Sequence, residues 1–79
     1  MNRARLLEHI AEQIGITPEL ITPEKRLVED LGLDSLDLIE LTMNIEDEIA
    51  TEFPWEEIES IKTVQELIDF VGKKLGVTL

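Results

Sequence analysis

The sequence predicts an all-α protein, a small bundle of three longer helices and one short helix with a long first loop. Three segments carry apolar residues at helical spacing, and residues that commonly start or stop a helix lie at their ends. No segment shows the alternation of a strand with comparable strength. The chain has 79 residues, the size of one small domain, so residues 1–79 are expected to form a single domain around one core.

The first helix is predicted over about Arg3 to Ile14, and Gly15 follows as a residue that can take the positive φ of a helix end. Two Thr-Pro pairs, Thr17-Pro18 and Thr22-Pro23, then oppose a continuing helix. The next stretch is therefore a loop with at most one short turn. Its apolar residues are too many for a free linker, which predicts that the loop packs on the core. They are Leu20, Ile21, Leu27, Val28, Leu31 and Leu33.

The second helix is predicted from about Ser35 to Ala50, and it carries two apolar stripes. The first stripe predicts the buried face: Leu38, Leu41, Thr42, Ile45 and Ile49. The second stripe consists of Leu36, Ile39 and Met43 and lies more than a quarter-turn away. Acidic residues lie beyond it. This second stripe is either additional core under a neighbouring helix or an exposed docking surface edged by acids.

A short third helix is predicted over about Trp55 to Ser60, with Pro54 suited to its first turn. The last helix opens on Thr63-Val64-Gln65-Glu66, which is a capping box. Gly76 is expected to close this helix. Its predicted buried face is Val64, Leu67, Ile68, Val71 and Leu75.

Charge is concentrated in one part of the chain, whose formal net charge is −11. From Leu27 to Ile61 there is no Lys, Arg or His, and this segment holds 12 of the 18 acids. This concentrated negative charge opposes binding to nucleic acid and to anionic membrane surfaces. It favours basic partners, or it serves solubility alone. No apolar run is long enough to span a bilayer. The absence of cysteine fits a cytoplasmic protein. We also expect a monomer that does not insert into a membrane.

Crowding these acids together also predicts an effect on stability. Like charges raise the pKa of carboxyl groups in the folded state. Protons then bind the folded state more tightly than the unfolded state. The stability gained from this protonation is present at low pH and is lost as pH rises through those pKa values. Mild acidification, or millimolar Ca²⁺ or Mg²⁺, is therefore expected to raise the melting temperature.

Ser35 lies where the long loop becomes the second helix, in the run Leu33-Asp34-Ser35-Leu36-Asp37. A serine nucleophile needs a base and oxyanion donors, yet no base is nearby and the G-x-S-x-G elbow is absent. The only histidine, His9, is expected to be a surface or half-buried residue of the first helix. The acids also lack the spacing of an EF-hand loop, so no dedicated metal site is predicted.

Either Asp34 or Ser35 can cap the second helix, and capping alone explains one of the two residues. The other then stays exposed beside a helix N-terminus, where free N–H groups and the helix dipole favour an anion. A hydroxyl at such a place suits the covalent attachment of a phosphate-linked group. The protein would then carry a group on which other proteins act, without catalysis of its own.

The run Val28-Glu29-Asp30-Leu31-Gly32-Leu33-Asp34-Ser35-Leu36-Asp37 resembles the attachment motif of acyl carrier proteins. The resemblance extends through Glu40-Leu41, Phe53-Pro54 and Ile61-Lys62-Thr63-Val64 and covers nearly the whole chain. It implies that Ser35 bears 4′-phosphopantetheine from coenzyme A and that Asp34 belongs to the motif read by the phosphopantetheinyl transferase. Acyl chains would travel on this arm as thioesters to enzymes of fatty-acid or related synthesis.

The resemblance also implies a partner-binding surface on the second helix, read by basic patches of those enzymes. Its apolar contacts would be Leu36 and Met43. Its acids would be Asp37, Glu40, Glu46, Asp47 and Glu48. Trp55 departs from the common pattern, in which an acid follows the proline, and this departure bears on the choice of partners near the third helix. The alternative function is an acidic helical adaptor that binds a basic protein, with Ser35 only as a cap.

Overall fold

The computed structural model describes all 79 residues and contains four α-helices and no strand. They are α1 (Arg3–Ile14), α2 (Ser35–Ile49), α3 (Trp55–Ile58) and α4 (Val64–Leu75). The long first loop contains one turn of 3₁₀ helix, Pro18–Leu20. The predicted all-α bundle with three longer helices, one short helix and a long first loop is confirmed. None of its helices combines the length and the apolar composition needed to cross a membrane.

The helix ends follow the local signals in the sequence. Gly15 closes α1 with a φ of 75°, the left-handed conformation that a residue without Cβ adopts at little cost. At the start of α4, the Glu66 N–H donates to Thr63 Oγ1 at 3.1 Å and the Thr63 N–H donates to Glu66 Oε1 at 3.0 Å. The predicted capping box is therefore present, and it satisfies two N–H groups that have no partner within the helix.

Fifteen buried apolar residues from the helices and the loops form one core. The α2 stripe contributes Leu41, Thr42 and Ile45 as buried residues, while Leu38 and Ile49 are half-buried at its border. The Thr42 hydroxyl donates to the carbonyl of Leu38 at 2.8 Å, so this buried polar group is satisfied. The core residues are Leu6, Ile10, Ala11, Ile21, Leu27, Leu33, Leu41, Ile45, Phe53, Ile58, Ile61, Val64, Leu67, Ile68 and Val71.

The long first loop is tied to the start of α4 by backbone hydrogen bonds. The Leu27 N–H donates to the carbonyl of Lys62 at 2.8 Å, and the Val64 N–H donates to that of Lys25 at 2.9 Å. Ile21, Leu27 and Leu33 are buried, which confirms for these residues that the loop packs on the core. Leu20 and Val28 are exposed instead, because the loop runs over the surface and only part of its side chains turn inward.

Two predicted helix ends differ from the structure by one or two residues. α2 stops at Ile49, because Ala50 leaves the helix with a φ of 55°. α3 stops at Ile58 and not at Ser60, and Pro54 is its N-cap and not part of its first turn. Helix ends depend on which carbonyl accepts the last N–H, and local sequence constrains that choice only weakly.

Candidate functional site

The loop before α2 is stabilised by local hydrogen bonds. Gly32 takes a φ of 72°, and the chain then turns inward so that Leu33 is buried and its N–H donates to the carbonyl of Leu27 at 3.0 Å. Arg26 and Asp30 close this turn with a hydrogen bond of 2.7 Å from the Arg26 N–H to Asp30 Oδ2. With Leu33 anchored, the residues that follow are presented at the surface.

Asp34 is the N-cap of α2. Its Oδ1 accepts from the Asp37 N–H at 2.9 Å, and Asp37 Oδ2 accepts from the Asp34 N–H at 3.1 Å. The question of which residue caps the helix is thus answered by a reciprocal capping box that uses Asp34 and Asp37. Ser35, the first residue of the helix, is not needed as a cap.

The Ser35 side chain is exposed and makes no hydrogen bond within the chain. Ser60, the other serine, differs because its hydroxyl donates to the carbonyl of Glu57 at 2.8 Å. The free Ser35 hydroxyl lies at the N-terminus of a 15-residue helix, whose dipole and unpaired N–H groups favour a negatively charged group. An exposed, unbonded hydroxyl at this place fits a phosphodiester attachment point.

His9 is far from Ser35, and its Nε2 is bound to a carboxylate elsewhere. Its Nε2 lies 3.0 Å from Glu48 Oε1, and Glu48 follows Ser35 by thirteen residues, roughly 20 Å along the helix axis at about 1.5 Å per residue. The expectation that His9 is a surface or half-buried residue is wrong: it is 8% exposed. It is buried because it lies at the α1–α2 contact, where Glu48 satisfies its ring nitrogen.

The acids of α2 fall into two groups. The carboxylates of the first group bind partners within the fold. Glu48 accepts from Arg5 Nε at 3.0 Å as well as contacting His9. Glu46 accepts from the Phe53 N–H at 2.8 Å, and Asp37 serves the capping box and also accepts from Gln13 at 3.3 Å.

The second group of α2 acids, Glu40 and Asp47, is exposed and lies two helical turns apart. Glu40 accepts one hydrogen bond, from Gln13 Nε2 at 3.1 Å, and Asp47 has no ion pair in the chain. No three His, Cys, Asp or Glu side chains anywhere in the molecule are placed to hold a metal ion. Because Glu40 and Asp47 are exposed and form no ion pair within the chain, their carboxylates are accessible to a partner in solution.

The second apolar stripe of α2 is exposed, so the interpretation as additional core is wrong. Leu36 is 62% exposed, Ile39 40% and Met43 55%. No helix covers them, because α1 and the core lie against other faces of α2. Glu40 and Asp47 lie along one side of the stripe at helical spacing, so the structure presents an apolar strip bordered by carboxylates. We refer to Leu36, Ile39, Glu40, Met43 and Asp47 as the α2 surface.

Two carboxyl groups in the acidic segment have pKa values below their ordinary range. For Asp30, the Arg26 backbone N–H and guanidinium both donate to the carboxylate and lower its pKa. For Glu48, desolvation raises the pKa, but hydrogen bonds from His9 and Arg5 outweigh it and the pKa is lowered. The expectation that crowding raises carboxyl pKa values is wrong for these two groups, because each has a basic residue from outside the acidic segment as its partner.

The lowered pKa values predict the acid side of the stability curve. Because the folded-state pKa of Asp30 and Glu48 is depressed, their contribution is fully present above the unfolded-state pKa of about 4. It is lost as pH falls through the folded-state pKa. Asp30→Asn should therefore lower the melting temperature at pH 7 and make its decline in acid shallower, measured by circular dichroism. Glu24→Gln, at an exposed acid without an ion pair, is the control, and parallel acid declines for Asp30→Asn and wild type would contradict the assignment.

An acidic four-helix bundle with a free serine at the start of a capped helix is typical of proteins that carry a covalently attached group. The family profile described as "Phosphopantetheine attachment site" matches residues 4–71. The chain therefore belongs to the acyl carrier protein family, whose attached group is 4′-phosphopantetheine. The resemblance noted in the sequence is confirmed. The relatives described next are named acyl carrier proteins.

Two carriers show the extent of this similarity. The acyl carrier protein of Thermosynechococcus vestitus is 43% identical over 80 residues, which cover 96% of this chain and 99% of that protein. The acyl carrier protein of Syntrophobacter fumaroxidans is 44% identical over 71 residues, covering 90% and 88%. The crystal structure of the acyl carrier protein from Thermotoga maritima superposes with a TM-score of 0.79 at 42% identity, covering 92% of this chain and 85% of that chain.

Three contacts at the site were not predicted from the sequence. They are the pairing of Arg5 and His9 with Glu48, the approach of Gln13 to Asp37 and Glu40, and the hydrogen bond from the Phe53 N–H to Glu46. The partners are separated by between 7 and 43 residues along the chain. Nothing in the local sequence signals such pairs, because they arise only when α1, α2 and the start of α3 pack together.

Proposed function

We propose that the protein is a single acyl-carrier domain over residues 1–79 that acts as a monomer. Its Ser35 would bear 4′-phosphopantetheine, and acyl chains would be held as thioesters on the thiol of that arm and presented to enzymes of fatty-acid or related synthesis. The observation that carries the proposal is the Ser35 hydroxyl. It is exposed, free of hydrogen bonds and placed at the start of a helix that Asp34 already caps.

Attachment would be catalysed by a phosphopantetheinyl transferase with Mg²⁺ and coenzyme A. The Ser35 oxygen would form a bond to the phosphorus that carries the pantetheine, and the bond from that phosphorus to the departing 3′,5′-ADP would break. A base on the transferase would accept the Ser35 proton, since His9 is bound to Glu48 near the other end of α2. Asp34 would keep the helix start ordered beneath the reacting hydroxyl.

The α2 surface supports the proposal that partner enzymes dock beside Ser35. Apolar contacts would come from Leu36 and Met43, and electrostatic attraction to basic patches would come chiefly from Glu40 and Asp47. Asp37, Glu46 and Glu48 would add to the negative field. Their oxygens are already bound within the fold, so they would be less available for direct contacts.

The test is to incubate the purified protein with coenzyme A, Mg²⁺ and a phosphopantetheinyl transferase and to measure the intact mass. The expected result is the gain of one phosphopantetheine per chain. A second step with an acyl donor and an acyl-transferring enzyme should then add one acyl group, removable by hydroxylamine as a thioester. A chain that never gains mass but still binds a basic protein would instead support the acidic adaptor.

Reversing one charge on the α2 surface should slow partner reactions through association. Glu40→Lys is expected to lower the kcat/KM of the transferase about tenfold at low salt, because steering between opposite charges raises association rates. The difference should shrink at about 1 M salt, where the Debye length falls to about 3 Å. Met43→Ala should also lower kcat/KM, with much less dependence on salt, because it removes apolar contact and no charge.

The matched control is Glu19→Lys, which makes the same change in net charge at an exposed acid of the first loop. It should leave kcat/KM within about twofold of wild type if the position of the charge matters. Equal losses for Glu19→Lys and Glu40→Lys would mean that only the net charge acts and that the α2 surface is not a specific docking surface.

A further inference from the structure

Trp55 is the only tryptophan of the chain and remains 42% exposed at the start of α3. Its neighbours in the chain include two exposed acids, Glu52 and Glu56, that form no ion pair. The one cation placed over an aromatic ring is Lys74, which lies 5.4 Å from the centre of Phe70 and is also paired with Glu57 at 2.8 Å. Because no basic residue lies between Leu27 and Ile61, the local chain supplies no cation for the indole.

The segment just before Trp55 is attached to α2. Phe53, two residues earlier, is buried in the core, and its N–H donates to Glu46 of α2 at 2.8 Å. A shallow depression runs from α2 toward α3 along Met43, Glu46, Asp47, Ala50, Thr51 and Glu52. The depression includes Met43 and Asp47 of the α2 surface and ends at Glu52, three residues before Trp55.

We propose that Trp55 extends the docking surface onto α3 and receives an arginine from a basic partner enzyme. The guanidinium would stack on the exposed face of the indole and donate to Glu52 or Glu56. Arginine fits this site because it combines a planar cation that stacks on aromatic rings with donors for a carboxylate. A partly exposed tryptophan with unpaired acids next to it in the chain, Glu52 and Glu56, has the composition of an interface anchor.

This inference rests on the proposed carrier function. The experiment distinguishes a failure of Trp55 docking from a failure of the carrier function. The probe is a condensing enzyme of fatty-acid synthesis from the same organism, added to unmodified protein labelled with 5-fluorotryptophan. A single ¹⁹F resonance reports Trp55, and docking should shift or broaden it whether or not Ser35 has been loaded. Loading is followed independently by intact mass, so failure of the carrier function would appear as a missing mass gain.

Steady-state kinetics of the condensing enzyme with the loaded protein then measure how much the Trp55 ring contributes to binding. Trp55→Ala and Trp55→Leu should each raise the KM for the carrier about tenfold with kcat nearly unchanged, whereas Trp55→Phe, which keeps an aromatic face, should lose less. Val77→Ala is the control, because Val77 is similarly exposed, at 54%, in the C-terminal segment after α4.

Three results would overturn the proposal. The first is a ¹⁹F resonance of the wild type that neither shifts nor broadens on titration with the enzyme. The second is a KM for Trp55→Leu equal to that of the wild type. The third is a rise in KM for Val77→Ala as large as that for Trp55→Ala. The resonance of the wild type requires no substitution, so it decides the question even where Trp55→Ala lowers the melting temperature.

Discussion

Replacing Ser35 by alanine is expected to abolish the gain of phosphopantetheine completely while leaving the bundle folded. Loading requires the hydroxyl oxygen, and no neighbouring group can replace it. The fold should tolerate the change because Asp34 caps α2, and alanine is a better helix former than serine. The melting temperature should therefore change by only a few degrees. Intact mass and a thermal melt measure both effects.

Two substitutions serve as controls for this result. Ser60→Ala removes the other serine hydroxyl, which is bound to Glu57, and it should leave loading at the wild-type level. Asp34→Ala removes the helix cap and should cost about 0.5–2 kcal/mol of stability. If Ser35→Ala still gained mass, Ser35 would not be the attachment site.

Among the substitutions proposed for this protein, Leu41→Ala is expected to lower stability the most. Leu41 is 0% exposed within the core, and Leu→Ala at such a site costs about 2–5 kcal/mol through lost burial and the cavity left behind. A domain of this size is stable by only about 5–15 kcal/mol. The melting temperature should fall by roughly 10 °C or more, measured by circular dichroism.

The matched control is Leu36→Ala, which makes the same chemical change on the same helix. Leu36 is 62% exposed, so the substitution should alter stability by about 0.5 kcal/mol or less. It removes apolar contact from the α2 surface, and the reaction with partner enzymes should be weakened instead. Equal melting temperatures for Leu36→Ala and Leu41→Ala would contradict the assignment of the two stripes.

Local signals in the sequence were sufficient for most of the fold. The helical spacing of apolar residues, the glycine after α1 and the capping box before α4 each act over a few residues, and each was found where predicted. The ends of α2 and α3 were less accurate, because a helix end reflects competition among nearby acceptors for the last N–H groups.

The candidate attachment site could also be predicted from the sequence, since Asp34 and Ser35 are adjacent and their roles depend on the helix that they begin. The structure decided between them: Asp34 is the cap and Ser35 is free. The α2 surface could be predicted only as one of two alternatives. Two apolar stripes on one helix have the same appearance in a sequence whether one or both are covered by neighbours.

The sequence by itself thus determined the class of fold, the helices, the acidic character and the serine, because these depend on residue types and short-range spacing. Only the tertiary structure decided that Leu36, Ile39 and Met43 are exposed, that His9 is buried against Glu48, and that Glu40 and Asp47 are the available acids. These properties depend on which helix packs on which face. That choice is made by the whole core at once, through contacts between residues far apart in the chain.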